Sequence, residues 1–234
     1  MSNHIMTVEK YYAARASEYE STARYTRPEN ATLAAALKAR YQLALEGHDV
    51  LELACGPGYW TEAVALTAHS ILATDRDPFL VSMVRTRLSE ATNVQCTVAD
   101  AYRLEDLGGP FSAAFANFWW SHIPRKRLSS FLTQFHRILA PRALVMFMDD
   151  LPYYHRSTRH LNDDGDLLEE RTLQNGETFE IIKNFPTSLE ILTILSEHAD
   201  DVVYKQFAAD GYWTVRYRTR PTPDHPGATM EYST

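Results

Sequence analysis

The sequence is poor in cysteine, has no long apolar run and carries no surplus of basic charge, and each scarcity removes a class of function. Cys55 and Cys96 are its 2 cysteines in 234 residues. They fit no metal-ligand spacing and suit a reducing compartment, so neither a disulfide framework nor a cysteine-held metal is expected. No apolar stretch reaches the roughly 20 residues that span a bilayer. The N-terminus lacks the charged, apolar, small-residue progression of a secretion signal. A cytoplasmic protein without a membrane partner is the expectation. Lys and Arg total 23 against 30 Asp and Glu, a formal charge of −7. That balance argues against a broad phosphate-binding face, and so against a nucleic-acid partner.

What is present is enough apolar material for one core, 45% of the chain. A single domain over residues 1–220 follows, with 221–234, rich in proline and polar residues, as a mobile tail. Oligomeric state is open, a homo-oligomer included. Aromatic and small residues over 8–20 read as a helix, and Pro28 starts a second, Ala/Leu-rich one that ends near Gly47. From His48 onward, apolar runs at 49–53, 70–74, 94–98, 112–117 and 143–149 alternate with helical patterns at 59–68, 78–90 and 124–139. This alternation predicts a parallel sheet covered by helices on both faces. Beyond Asp150 it stops. Asn175-Gly176 between Glu169–Gln174 and Glu177–Lys183 signals a hairpin. A helix over Leu189–His198 and strands at 201–207 and 212–218 complete the sheet with an antiparallel edge.

The most specific segment is Val50-Leu51-Glu52-Leu53-Ala54-Cys55-Gly56-Pro57-Gly58, a buried strand running into a glycine loop. Gly56 and Gly58 let the backbone turn sharply and lie against a ligand, with a helix opening behind them. In a dinucleotide fingerprint the third small position would fall on Thr61, and Pro57 stiffens the loop. Glu52 would repel phosphates yet accept a hydrogen bond from an ammonium group. An NAD-dependent dehydrogenase is therefore the weaker alternative.

Three further segments follow in order: Ile71-Leu72-Ala73-Thr74-Asp75-Arg76, Val94-Gln95-Cys96-Thr97-Val98-Ala99-Asp100-Ala101, and Ala113 through Pro124. With the glycine loop they make the chain resemble class I S-adenosylmethionine-dependent methyltransferases, in particular bacterial small-molecule enzymes, roughly from Tyr11 to Arg218. The resemblance implies a Rossmann-like, doubly wound α/β fold. Its mostly parallel seven-stranded sheet would have an antiparallel edge, an N-terminal helical cap over 1–47 and a hairpin insertion or lid over 151–186.

The implied cofactor is S-adenosylmethionine. Asp75 would offer two carboxylate oxygens to the ribose diol, although Asp77-Pro78 also makes it a candidate helix cap. Asp100 would accept from the adenine amine, the Ala101 backbone would meet the ring edge, and Arg76 and Tyr102 would cover its faces. Glu52, with Ala54, Gly56 and Gly58, would surround the methionyl portion. From the cap, Arg15 would meet the cofactor carboxylate and Tyr12 or Tyr19 would donate phenolic hydrogen bonds.

At the acceptor end, Asn117 occupies the position that lines the methyl site, without the Asn/Asp-Pro-Pro-aromatic signature of amino-directed enzymes. Trp119 and Trp120 are candidates to stack on a flat substrate or face the sulfonium, against the alternative of plain packing. His122 is the candidate general base, with loop orientation as its alternative. Asp149 and Asp150 end the fifth strand, where they could bind an amine; no metal is expected. The acidic run Asp163, Asp164, Asp166, Glu169, Glu170 reads as a solvated loop, and Arg171, Lys183 and His155 carry no assignment. The expected activity is methyl transfer to an oxygen or nitrogen of a small metabolite, aromatic ones included. The rivals are the dehydrogenase and a catalytically silent S-adenosylmethionine-binding module.

Overall fold

The apolar runs become strands, and the central ones are covered on both faces. The computed structural model describes residues 3–18, 23, 27–152 and 158–220; Tyr19, His155 and the expected tail 221–234 lie outside them. Two helices come first, α1 (Asn3–Arg15) and α2 (Ala31–Leu45). The central elements follow: β1 (Asp49–Leu53), α3 (Tyr59–Val64), β2 (Ser70–Asp75), α4 (Pro78–Arg87), β3 (Val94–Val98), β4 (Phe111–Asn117), α5 (Leu128–Arg137) and β5 (Leu139–Asp150). Next come β6 (Arg159–Leu161), β7 (Leu167–Thr172) and β8 (Thr178–Ile182), then α6 (Ser188–His198), β9 (Ala199–Phe207) and β10 (Tyr212–Thr219). The main sheet has 7 strands in the order β3-β2-β1-β4-β5-β10-β9. The first five are mutually parallel, and β10 runs antiparallel to both β5 and β9.

Alternate residues of the central strands feed two cores. Leu51, Ala114, Ala116, Val145 and Phe147 pack with Phe131, Leu132 and Phe135 of α5 and with Ile191 and Leu195 of α6. Val50, Ala113, Phe115, Leu144, Met146 and Met148 pack on the opposite face with Leu37, Tyr41 and Leu45 of α2, Trp60 and Val64 of α3, and Val84 of α4. This two-sided burial is why Leu144–Met148 reads as a continuous apolar run rather than an alternating one. A capping box between Thr187 and Glu190 starts α6. No described helix is long and apolar enough to cross a membrane.

The insertion is larger than a hairpin. β6 pairs antiparallel with β7, which pairs antiparallel with β8, giving a separate three-stranded sheet. Helix α1 packs on it: Val8 and Tyr11 share a small core with Leu168, Leu173, Ile181 and Ile182. Cap and insertion, far apart in sequence, therefore form one unit. The acidic run belongs to this unit and is not simply solvated. Glu169 is fully buried between the guanidinium groups of Arg159 and Arg171, at 2.9 and 2.6 Å. Asp166, also buried, accepts the Arg125 main-chain N–H at 2.7 Å and the Asn184 amide at 3.0 Å.

Candidate functional site

In a doubly wound sheet a crevice opens where the strand order reverses, here between the carboxyl ends of β1 and β4. A cavity of about 420 Å³ occupies that place, with α1 across it. Its volume falls in the roughly 300–1,000 Å³ usual for small-molecule sites.

The floor is the glycine loop and the end of β2. Ala54 and Gly56 line the cavity, both in the left-handed region at φ 52 and 55. Asp75 accepts the Gly56 N–H at 2.9 Å and the Asp77 N–H at 3.0 Å. Burial raises its carboxyl above the ordinary value, against the pull of those N–H groups. One bond to each oxygen leaves lone pairs for a ligand. At the end of β3, Asp100 accepts the Tyr102 N–H at 2.9 Å, and Arg76 reaches from Asp100, 3.5 Å away, to an ion pair with Glu9 of α1. Ala101 and Tyr102 complete this wall, with the Arg127 guanidinium 3.9 Å over the Tyr102 ring centre.

Three residues expected at the cofactor stand elsewhere. Glu52 does not line the cavity. It is 2% exposed and accepts the Thr61 hydroxyl at 2.6 Å, and burial pushes its carboxyl up to about 8. Gly58 serves helix packing: it holds φ 86, and a side chain there would press on Val84, with Cβ 3.1 Å from Cγ2. Arg15 lies 5.9 Å from the ring centres of Tyr11 and Tyr12, outside the cavity lining.

At the other end the cavity is bounded by Asn117, Phe118, Trp119 and His122 after β4, and by Tyr12 of α1. The hydrogen bonds of His122 fix its tautomer. Nδ1 lies 2.7 Å from the Ile182 carbonyl, which can only accept, so Nδ1 carries the hydrogen. Burial, then the positive charge of Lys183, pushes the imidazole well below its ordinary value and keeps it neutral. Nε2 is then an acceptor, and the Tyr12 hydroxyl donates to it at 2.8 Å.

The remaining substrate candidates, Trp120, Asp149 and Asp150, are not among the residues that line the cavity. Trp120 turns into the core against Phe147 and Trp213, while its neighbour Trp119 faces the cavity. A short helical turn over Trp120–His122 separates them. Asp149 is fully buried; it accepts the Ser121 N–H at 2.9 Å and the Ser121 hydroxyl at 3.0 Å, and pairs with Lys183 at 3.0 Å. Asp150 also pairs with Lys183, at 3.0 Å. Burial alone would lower the Lys183 ammonium, but the two carboxylates hold it above its usual value. Both aspartates are thus occupied in binding the insertion to the main sheet. Among the described residues no group of three or more His, Cys, Asp or Glu is placed to hold a metal. Tyr41, Glu9 and the Ile182 carbonyl escape a reading of the sequence, because an aromatic or acid on a helix and a main-chain oxygen carry no motif.

A family model described as "Methyltransferase domain" matches residues 50–142. None of the curated proteins compared with the chain matches it. Among solved structures, the DhpI–SAH complex superposes with a TM-score of 0.76 at 26% identity, covering 95% of this chain and 100% of that one. The DhpI–SAM–HEP complex gives 0.71 at 27% identity, covering 93% and 99%. The PH0226 protein from Pyrococcus horikoshii OT3, at 15% identity and TM-score 0.67, covers 87% and 99% and shares the fold. Residues 50–142 thus match a methyltransferase domain, and the chain has the Rossmann-like methyltransferase fold of structures solved with SAH and SAM.

Proposed function

We propose that the protein transfers the methyl group of S-adenosylmethionine to an oxygen or nitrogen of a small metabolite, aromatic ones included. The observation that carries this reading is the hydrogen-bonded chain Tyr12–His122–Ile182 at the cavity, which fixes a phenolic oxygen beside the place where transfer would occur. Ala54, Gly56, Asp75, Arg76, Asp100 and Ala101 would hold the cofactor, with Asp75 toward the ribose diol and Asp100 toward the adenine amine. When bound, S-adenosylmethionine supplies an electrophilic methyl carbon. Tyr12, its hydrogen held by His122 Nε2, would turn its oxygen lone pairs to the acceptor's hydrogen and orient the acceptor for attack, with the proton leaving to solvent and His122 staying neutral. His122 acts through Tyr12 rather than by touching the acceptor. Trp119 would form the flat wall of the acceptor site.

The cavity of about 420 Å³ and the charge of −7 support a small-molecule partner rather than nucleic acid or membrane. The DhpI–SAM–HEP complex, in the same fold, supports room for a second component. The test is transfer of labelled methyl to a panel of small hydroxyl and amine compounds by the wild type and Tyr12→Phe. Misplacing a reacting group by about 1 Å can cost about 10²-fold. The variant should therefore lose about a hundredfold in kcat while its affinity for S-adenosylmethionine changes less than about twofold. Tight cofactor binding without transfer to any acceptor would favour the silent module.

A further inference from the structure

Three charged side chains meet at the end of the cavity proposed for the adenine: Glu9 of α1, Arg76 just past β2 and Asp100 just past β3. A ligand can reach all three, since 25, 43 and 27% of these side chains are exposed. Arg76 meets both acids with one nitrogen. Its Nη1 donates to Glu9 Oε1, while Asp100 Oδ2 lies 3.5 Å from that nitrogen. This separation exceeds the roughly 2.7–3.2 Å of a protein hydrogen bond. The other Asp100 oxygen, Oδ1, accepts the Tyr102 N–H at 2.9 Å. Asp100 Oδ2 is therefore the oxygen left open toward the cavity, and it faces a guanidinium that is bonded to Glu9.

Glu9 decides where that guanidinium goes. A guanidinium meets a carboxylate with charge on both partners, whereas an aromatic amine brings none. Released from Glu9, Nη1 would close the 3.5 Å gap to about 2.9 Å and occupy Asp100 Oδ2. A ligand amine would then have to displace it. Burial raises the Glu9 carboxyl, Arg76 lowers it and the charge of Asp100 raises it again, so the two acids sense each other across the guanidinium. The hold on Arg76 comes with the seating of α1. Glu9 and Tyr12, three residues apart, share the face of that helix that covers the cavity, and Val8 and Tyr11 fix the helix to the insertion.

We propose that Glu9 is a positioning residue for the cofactor: it holds Arg76 off Asp100 and so keeps that carboxylate open to the exocyclic amine of the adenine. This role rests on the placement of Asp100 toward that amine, given above, and names the residue on which that placement depends. Glu9 touches Arg76, and it acts on the ligand only through Arg76 and Asp100. Ion pairs this exposed contribute little to the stability of a fold. The effect of Glu9 is therefore on which ligand binds, and not on whether the chain folds.

The test uses the full chain and two probes that differ only in that amine: S-adenosylhomocysteine and its 6-deamino analogue, in which a hydrogen replaces the amino group. Both are titrated calorimetrically into wild type, Glu9→Leu and the double variant Glu9→Leu with Arg76→Met, each checked for folding by circular dichroism. Wild type should bind S-adenosylhomocysteine at least about tenfold more tightly than the analogue, equivalent to about 1.4 kcal/mol. Glu9→Leu should bring the two probes to within about threefold, by weakening S-adenosylhomocysteine while the analogue changes less than about twofold. The second substitution removes the competing guanidinium and should restore a preference of at least about fivefold. A Glu9→Leu protein that keeps the wild-type preference, that binds both probes more weakly to the same degree, or whose preference does not return with Arg76→Met would overturn the inference while leaving the placement of Asp100 intact. Equal binding of the two probes by wild type would remove that placement, and this inference with it. Failure of S-adenosylhomocysteine to bind at all would instead remove the methyl-transfer reading on which both stand.

Discussion

At the residue scale, the acids at strand ends divide according to which way their side chains project. Asp75 is the last residue of β2 and Asp100 lies just past β3, where the chain leaves the sheet, and both reach the cavity. Glu52 sits one residue inside the end of β1, and its carboxyl turns to Thr61. An acid beside a glycine loop is visible in the sequence; that the pleat points this one away is not. Adjacent Trp119 and Trp120 were ambiguous for the same reason, since one short turn sends them to opposite sides. Glu52 gives a pH prediction. Its folded value of about 8 lies above the unfolded 4.5, so between these limits the folded chain holds the proton and the unfolded chain does not. Stability from this group is therefore present below pH 4.5 and lost as pH rises toward 8. Glu52→Gln should become progressively more stable than wild type across that window, by at most about 1.4 kcal/mol per pH unit. Denaturant titrations at about pH 5 and about pH 8 check this, and a constant difference would remove the assignment.

At the element scale, the parallel core was legible because alternating apolar runs and helical periods leave few other topologies. The insertion was only half legible. Asn175-Gly176 announced the β7–β8 turn, but β6 is a strand of 3 residues, too short to show a period. Nothing in the sequence linked α1 to the insertion. Their joint attachment to the main sheet runs through consecutive residues. The Ile182 carbonyl accepts from His122, Lys183 donates to the Ser121 hydroxyl at 2.9 Å, and the Asn184 N–H donates to the Ser121 carbonyl at 2.8 Å. Lys183 also supplies the charge that faces Asp149 and Asp150. Removing one partner of a buried ion pair typically costs about 3–5 kcal/mol. Lys183→Met should therefore destabilise the protein by about that much in denaturant unfolding, and adding Asp149→Asn should recover part of the loss. A single variant as stable as wild type would show that the pair does not hold the insertion to the main sheet.

At the scale of the whole molecule, buried histidines tie folding to pH. His136, bonded to the Tyr217 hydroxyl at 2.9 Å, is lowered by burial to about 3. His122 is lowered as well. For a histidine whose folded value is depressed, the stabilising neutral form is fully in place above the unfolded value of 6.5 and is lost as pH falls toward the folded value. The melting temperature should drop steadily between about pH 6.5 and about pH 4. His136→Gln should flatten that slope; an unchanged slope would rule His136 out as its source. The site as a whole draws on segments from both ends of the described chain: the glycine loop, the ends of β2, β3 and β4, the insertion through Ile182, and α1 through Tyr12. Motifs in the central segment made the cofactor end readable, because each strand end carries its own local pattern. The acceptor end depends on contacts between α1, α2 and β8 that no local pattern encodes. Everything at that end presupposes that S-adenosylmethionine occupies the cavity between the glycine loop and α1. The most direct test is a calorimetric titration of the purified protein with S-adenosylmethionine, with NAD as the matched control, repeated on Asp75→Ala. Saturable binding of S-adenosylmethionine but not NAD, weakened at least about tenfold by the substitution, is the predicted result. Binding of NAD in its place, or S-adenosylmethionine affinity indifferent to Asp75, would contradict it.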